Sequence, residues 1–205
     1  MRIDYTNIAL AVNYYERLGY KYMEVPWIVS KEAMNVTKPP FATRTFETFM
    51  GDLVASGEQS FIELMIYDCL PKGKYVCVTP CFRDEVVDPL HQNWFMKVEL
   101  IRTDSTQRKD LVDLMYDAVN FYVDTYEMYT KGQQHPTIDD PASVYPYSYD
   151  ILSPDGIELG SYGIRSHGDH EWVYGTGVAE PRLSYALALR EKNLKISVDK
   201  NDVDC

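Results

Sequence analysis

The length, composition and charge of the chain exclude several classes of protein. With 205 residues, of which 45% are hydrophobic and 25% charged, the sequence is typical of one globular domain with a sizeable core. The net charge of -11 argues against an extended basic surface for a nucleic-acid backbone, although it leaves room for a local basic patch. No apolar stretch approaches the roughly 20 residues of a membrane-spanning helix, and polar residues interrupt the N-terminus where a signal peptide would lie. We therefore expect a cytoplasmic protein that does not associate with membranes.

In the N-terminal part of the chain, apolar residues recur at helical spacing over residues 7–18, and Gly19 follows as a helix end. Residues 20–29 are expected to be extended. Residues 31–50 show little periodicity and contain a Pro-Pro pair, so we expect a surface excursion there.

The central part of the chain predicts three strands, at residues 53–55, 75–83 and 94–102. The longest helical pattern covers residues 110–129. Cys77 and Cys81 lie in one predicted strand without a CxxC pair, and we expect them to be buried free thiols.

The C-terminal part begins with residues 131–144, which are polar and rich in turn formers. Next come a predicted hairpin, a last strand and a helix, at residues 147–164, 172–177 and 181–191. His167 and His170 have the wrong spacing for a helical metal pair, and we expect a solvated turn there. Hairpin-connected strands with helices before, between and after them predict an antiparallel sheet backed by helices.

Several short segments combine charged or hydroxyl residues with strand or turn context. An exposed ion pair would explain Arg83 and Glu85, and the solvent side of a hairpin would explain Glu158 and Ser161. Arg182 is less ordinary, because a cation at the start of a helix opposes the helix dipole unless an anion binds there.

Taken together, three segments in order resemble the motifs of class II aminoacyl-tRNA synthetases. A helix, a glycine and a strand that ends in proline stand at residues 17–28. An Arg-x-Glu strand that returns through an aromatic strand stands at residues 82–99. A glycine-rich strand that leads into a helix with an arginine stands at residues 175–182. Three motifs in this order are far more specific than any one alone.

Seryl-type catalytic domains are the most similar in detail. TPCFR at residues 79–83 with KVE at residues 97–99 resembles their second motif, and GTGVA at residues 175–179 resembles their third. Ser-Gly-Glu at residues 56–58 and Glu-Leu-Gly-Ser at residues 158–161 resemble two further loops of these enzymes. The resemblance implies an α+β fold with an antiparallel sheet flanked by helices, in one catalytic domain over residues 1–191 and a charged tail over residues 192–205.

The resemblance also implies an ATP-dependent ligase that makes an aminoacyl adenylate. Arg83 would bridge the α-phosphate and the substrate carboxylate, because a planar and permanently charged fork suits both groups. Arg83 and Arg182 would be the catalytic residues. ATP would contact Arg83, Glu85, His91, Phe95, Glu158, Ser161 and Arg182. Glu158 and Ser161 would hold Mg²⁺.

For the amino acid, the resemblance implies contacts from Ser56, Glu58, Arg83, Glu99 and Thr176. Carboxylates beside the amino acid fit a small polar side chain, such as that of serine. It also implies a homodimer through the first motif, whose aromatic residues would suit a buried interface. These residues are Tyr14, Tyr15, Tyr20, Tyr22 and Trp27.

The sequence also departs from the seryl pattern. We expect neither a tRNA-binding arm nor an anticodon domain, because the motifs span nearly all of the 205 residues, and the loop between Glu85 and His91 is short. Three hypotheses follow: an adenylate-forming enzyme that serves tRNA or another acceptor, a paralogue that regulates by binding tRNA or protein, and an amide-forming ligase. Retention of the implied ATP residues favours the first.

Overall fold

The computed structural model describes residues 2–39 and 44–201 of the chain. In chain order, the elements are α1 (Tyr5–Arg17), β1 (Lys21–Tyr22), β2 (Ile28–Val29), α2 (Lys31–Thr37), β3 (Phe46–Thr48), β4 (Gly51–Leu53), α3 (Gly57–Ile66), β5 (Lys74–Phe82), β6 (Trp94–Arg102), α4 (Arg108–Tyr126), β7 (Lys131–Pro136), β8 (Tyr147–Leu152), β9 (Glu158–His167), β10 (His170–Glu180) and α5 (Arg182–Asn201).

Within the described residues, seven strands form one large sheet in the order β1-β5-β6-β10-β9-β8-β7. The short β1 pairs with β5 in parallel, whereas β5 to β10 pair with their neighbours in antiparallel fashion. A small antiparallel sheet, β2-β4-β3, accompanies it. The predicted α+β class, with an antiparallel sheet flanked by helices, is confirmed.

The large sheet has a hydrophobic core on each face, because alternate side chains of a strand point to opposite faces. On one face, Val98 and Leu100 of β6 pack with apolar residues of α1, α4 and α5. On the other face, Cys77 of β5 and Ile101 of β6 pack with α2 and α3. The free thiols Cys77 and Cys81 are buried, as predicted.

A β-bulge interrupts β10, the strand at the middle of the sheet. Thr176 lies opposite Glu99 and Val178 lies opposite Val98, so Gly177 is an extra residue on β10. Its carbonyl accepts hydrogen bonds from the buried hydroxyls of Tyr15 and Tyr122, each at 3.2 Å. Elements from both ends of the chain therefore meet at this bulge.

The tyrosine contacts correct part of the predicted dimer interface. Tyr15 is 0% exposed and Tyr20 is 3% exposed, so both belong to the protomer core. The sequence could not separate them from Tyr22 and Trp27, which are 40% and 52% exposed, because aromatic residues suit either environment.

The predicted surface excursion at residues 31–50 is also wrong in part. Its first half forms α2, which Ser30 caps through its hydroxyl and which buries Ala33, Met34 and Val36. A helix of two turns is too short for its sequence to show a clear hydrophobic periodicity. The second half contributes strand β3, while Pro40, the second residue of the Pro-Pro pair, lies outside the described residues.

Three other elements differ from the sequence prediction. Helix α3 was not predicted, although Ser56 and Gln59 form a capping box at its start. Strand β7 lies in a segment that was predicted to be polar and rich in turns. The sequence did not indicate this strand, because it is an exposed edge strand without alternating apolar residues. Helix α5 continues through Asn201, past the predicted end at residue 191.

Gly175 offers a test of how tightly β10 packs. A Cβ atom at this position would overlap the Leu114 side chain and lie 2.5 Å from Cδ1 of Tyr162. We expect Gly175→Ala to lower the free energy of unfolding by about 1–3 kcal/mol, as overpacking does in other cores. Denaturant unfolding measures this change.

Gly132→Ala is the matched control, since a Cβ atom there would meet nothing within 4 Å among the described residues. It should leave the free energy of unfolding unchanged or slightly higher, because alanine restricts the unfolded chain. Equal effects of the two substitutions would contradict the packing described for β10.

Candidate functional site

A cavity of about 440 Å³ lies on the face of the large sheet that carries α2 and α3. Phe95 and Lys97 of β6 line it from alternate positions, since residues two apart in a strand share a face. Ser56 and Glu58, at the start of α3, also line it, and Nζ of Lys97 donates to Oγ of Ser56 at 3.3 Å. The sheet supplies a rigid floor and the small elements around α3 supply the wall.

Arg83 follows the last residue of β5 and still donates its backbone N–H to Asn93. Its side-chain Nε donates to the carbonyl of Ala55 at 3.0 Å, which fixes the guanidinium in the cavity. The guanidinium carbon lies 5.1 Å from the centre of the Phe95 ring, and Nη1 lies 3.7 Å from Oε1 of Glu85. The second predicted motif therefore forms one connected group.

A second bulge brings Glu158 and Ser161 to the same cavity. Leu152 of β8 lies opposite Glu158 and Ile151 lies opposite Gly160, so β9 carries one extra residue between them. Residues three apart would face opposite sides of a regular strand, and the bulge removes this difference. Both side chains line the cavity.

Arg182 begins α5 and reaches across to β9. Its Nη1 lies 3.1 Å from Oε1 of Glu158 and donates to the Glu158 carbonyl at 3.4 Å. The cation predicted to contact ATP and the carboxylate predicted to hold Mg²⁺ are thus ion-paired.

His91 lies beside the cavity rather than in it. It lines an adjoining crevice together with Glu85, Phe95 and Arg182. Its Nδ1 lies 2.8 Å from Oδ2 of Asp88. This contact, together with the backbone N–H groups of the same turn that donate to Asp88, lowers the pKa of Asp88. Phe95 and Arg182 line both spaces, so the crevice adjoins the cavity.

The inner end of the cavity contains buried charges that the sequence did not predict. Arg165 donates to Oε2 of Glu58 at 2.5 Å and to Oδ2 of Asp140 at 2.8 Å, and its guanidinium lies 4.0 Å from the centre of the Tyr174 ring. Trp172 donates to Oε1 of Glu58 at 2.7 Å. An arginine in a strand gives no signal of burial, so only the partners, which are distant in sequence, reveal it.

Burial raises the pKa of Glu58, while Arg165 opposes the rise and Glu99 adds to it. Glu99 itself does not line the cavity. Its Oε2 accepts from Ser56 at 2.7 Å and lies 2.9 Å from Nζ of Lys97, so these two residues stand between Glu99 and the open space. Its buried Oε1 has no hydrogen-bond partner among the described residues.

The structure therefore brings together almost all of the predicted site residues. Those that line the cavity are Ser56, Glu58, Arg83, Glu85, Phe95, Glu158, Ser161, Thr176 and Arg182. His91 lines the crevice and Glu99 lies directly beneath the cavity wall.

Within the described residues, no three His, Cys, Asp or Glu side chains are grouped so as to hold a metal ion. His167 and His170 flank the two-residue turn between β9 and β10, as predicted. Glu158 and Ser161 fit a Mg²⁺ that is shared with a nucleotide, because such an ion needs only one or two protein oxygens beside the phosphates.

A buried polar network fixes the end of the site where β10 meets α5. Glu180 is 0% exposed and accepts from Asn7 of α1 at 2.6 Å and from Ser184 of α5 at 2.7 Å. Tyr126 of α4 donates to Asn7 at 2.8 Å. Three helices are thereby joined next to Arg182.

This network predicts a pH dependence of stability. Burial raises the pKa of Glu180 in the folded state, so the folded protein binds the proton more tightly than the unfolded chain. Its contribution is complete below the ordinary glutamate pKa and is lost as the pH rises through the raised value. Glu180→Gln, which resembles the protonated form, should lose less stability across this window in denaturant unfolding.

Asp139→Asn, at an exposed carboxylate outside this network, is the control, and its stability should be compared with that of the wild type over the same pH range. An identical pH profile for wild type and Glu180→Gln would contradict the assigned contribution of Glu180.

No family model matches the sequence, and no curated protein is similar to it in sequence. Solved structures are similar in fold. A pyrrolysyl-tRNA synthetase from Desulfitobacterium hafniense has a TM-score of 0.67 at 16% identity, over 91% of this chain and 68% of that one. The fold is that of a class II aminoacyl-tRNA synthetase catalytic domain.

Two seryl structures are similar to the same degree. The cytoplasmic serine-tRNA ligase of Naegleria fowleri, in complex with AMP, has a TM-score of 0.68 at 17% identity, over 88% of this chain and 47% of that one. The seryl-tRNA synthetase of Pyrococcus horikoshii, complexed with ATP, has a TM-score of 0.67 at 15% identity, over 87% of this chain and 48% of that one. The chain thus spans about half the length of these two proteins.

No helix in the described residues has the length and apolar character to cross a membrane.

Proposed function

We propose that the cavity binds ATP and an amino acid and forms an aminoacyl adenylate. The observation that carries this proposal is the convergence of Arg83 and Arg182, from two distant motifs, on one cavity that Phe95 also lines. Two fixed cations beside an aromatic ring fit the phosphates and the base of a nucleotide.

In the proposed reaction, a carboxylate oxygen of the amino acid attacks the α-phosphorus of ATP. The new P–O bond forms as the bond to the departing pyrophosphate breaks. Arg83 neutralises the charge that develops on the α-phosphate and holds the attacking carboxylate. Its Nε already donates to Ala55, so both Nη groups remain for these oxygens.

The other groups hold the remaining parts of ATP. Phe95 stacks on the adenine, Glu85 contacts the adenine edge, and Arg182 and His91 bind the outer phosphates. Glu158 and Ser161 would hold Mg²⁺ through their side-chain oxygens, and the ion would supply positive charge that offsets the charge of the phosphates. The ion pair between Arg182 and Glu158 then keeps both side chains aimed at the phosphate end.

The amino acid lies at the inner end, beside Ser56, Glu58, Thr176 and the Lys97–Glu99 pair. The activated group then passes to an acceptor. The similar structures are named as tRNA synthetases, so tRNA is the acceptor to be tested first.

ATP–pyrophosphate exchange with each of the twenty amino acids tests the proposal. We expect exchange with one amino acid or a small group of them. Arg83→Ala should reduce the exchange rate by at least about 100-fold, because a charged donor to the reacting phosphate is lost. Charging of total tRNA with the same amino acid then tests the acceptor.

Arg108→Ala is the matched control, since Arg108 is exposed at the start of α4 and does not line the cavity. It should exchange at the wild-type rate. No exchange with any amino acid, in a folded wild-type protein, would refute the proposed activation.

We also propose that the chain forms a homodimer through its first motif. Tyr22 and Trp27, which are 40% and 52% exposed, would be covered in the dimer. Light scattering should give the mass of a dimer, and Trp27→Ala should shift the mass towards the monomer. Trp94→Ala, at a side chain that is 53% exposed outside this motif, should leave the mass unchanged. A monomeric wild type would exclude the dimer.

A further inference from the structure

The charges at the inner end of the cavity can be counted. The carboxylates of Glu58, Glu99 and Asp140 face the cations of Arg165 and Lys97. Two cations against three carboxylates leave one negative charge among side chains that are at most 20% exposed. Such a charge is costly unless a partner neutralises it.

We infer that Arg165 is a positioning residue for the amino-acid substrate, which keeps Glu58 in place as an ionised carboxylate so that Glu58 can receive the substrate ammonium. This inference rests on the proposed function. It also gives the substrate class, because one ammonium balances the inner end. The substrate is an α-amino acid with an uncharged side chain.

The geometry supports a role through Glu58 rather than direct contact with the reacting atoms. Arg165 is fixed on three sides, by Glu58, by Asp140 and by the ring of Tyr174. Each oxygen of Glu58 already accepts one hydrogen bond, from Arg165 or from Trp172, and an ionised carboxylate oxygen can accept another. The carboxylate is thus oriented and can still bind an ammonium.

Without Arg165, burial and the charge of Glu99 would both favour the protonated form of Glu58. Burial and the repulsion by Glu99 raise the pKa of Glu58, and Arg165 is the largest opposing influence. The other charged or titratable groups around the pair are Lys97, Asp140 and Tyr174. Loss of Arg165 therefore favours the protonated form of Glu58, which has no charge to offer the substrate ammonium.

The experiment measures ATP–pyrophosphate exchange against amino-acid concentration and pH for Arg165→Met. Methionine keeps the apolar stem of the side chain and removes its charge. We expect the KM for the amino acid to rise by about tenfold or more, since one pKa unit corresponds to a factor of ten in the ionised fraction. The KM for ATP should stay unchanged.

The pH profile separates positioning from a merely structural role. In the wild type, the KM for the amino acid should rise as the pH falls through the pKa of Glu58. In Arg165→Met this rise should begin at higher pH, and Arg165→Lys should restore part of the wild-type profile. Glu58→Gln, which keeps Arg165, should have a high KM without this acidic dependence.

Arg102→Met is the matched control. Arg102 is also nearly buried, with a side chain 14% exposed against 16% for Arg165, and it also pairs with two carboxylates, Asp104 and Asp110. It does not line the cavity. Its loss should lower stability, as measured by unfolding, and leave the KM for the amino acid unchanged.

The outcomes are distinct. If the wild type shows no exchange with any amino acid, the proposed function fails. If the wild type shows exchange but Arg165→Met keeps the wild-type KM and pH profile, the inference about Arg165 fails alone. Exchange with aspartate, glutamate, lysine or arginine as the preferred substrate would also overturn it. If Arg165→Met does not fold, Arg165→Lys and Glu58→Gln decide by the same two readouts.

Discussion

The site depends on two bulges in neighbouring strands. In β10 the extra residue is Gly177, and it lets Thr176 and Ala179, three apart, line the same cavity. In β9 the extra residue does the same for Glu158 and Ser161. A regular ladder would direct one side chain of each pair to the opposite face, so both bulges shape the lining of the cavity.

The β10 bulge requires support from the rest of the molecule, because its carbonyl leaves the regular ladder. Tyr15 and Tyr122 supply buried hydroxyls from α1 and α4, and a buried carbonyl without such a partner would be costly. The Glu180 network joins the same helices to α5 a few residues further along. Packing on one face of the sheet thereby controls the geometry of the site on the other face.

The charged pairs of the site differ in their exposure to solvent. At the mouth, Arg83 and Glu85 are about one-third exposed, so water screens their ion pair. At the inner end, Arg165 and Glu58 are 16% and 4% exposed, and the loss of either partner would strand a buried charge. The proposed phosphate contacts therefore lie where charges can adapt, and the proposed ammonium contact lies where they are fixed.

The sequence by itself determined the fold class and the residues that come together. The ordered motifs contain Arg83, Phe95 and Arg182, and the Glu-Leu-Gly-Ser segment contains Glu158. Short motifs of this kind can be recognised directly along the sequence. Only the tertiary structure revealed the buried charges at the inner end of the cavity, because Arg165 and its partners are far apart in sequence and burial depends on packing. It also decided that Tyr15 belongs to the core, and it formed α2 and β7 from segments too short or too polar to show a period.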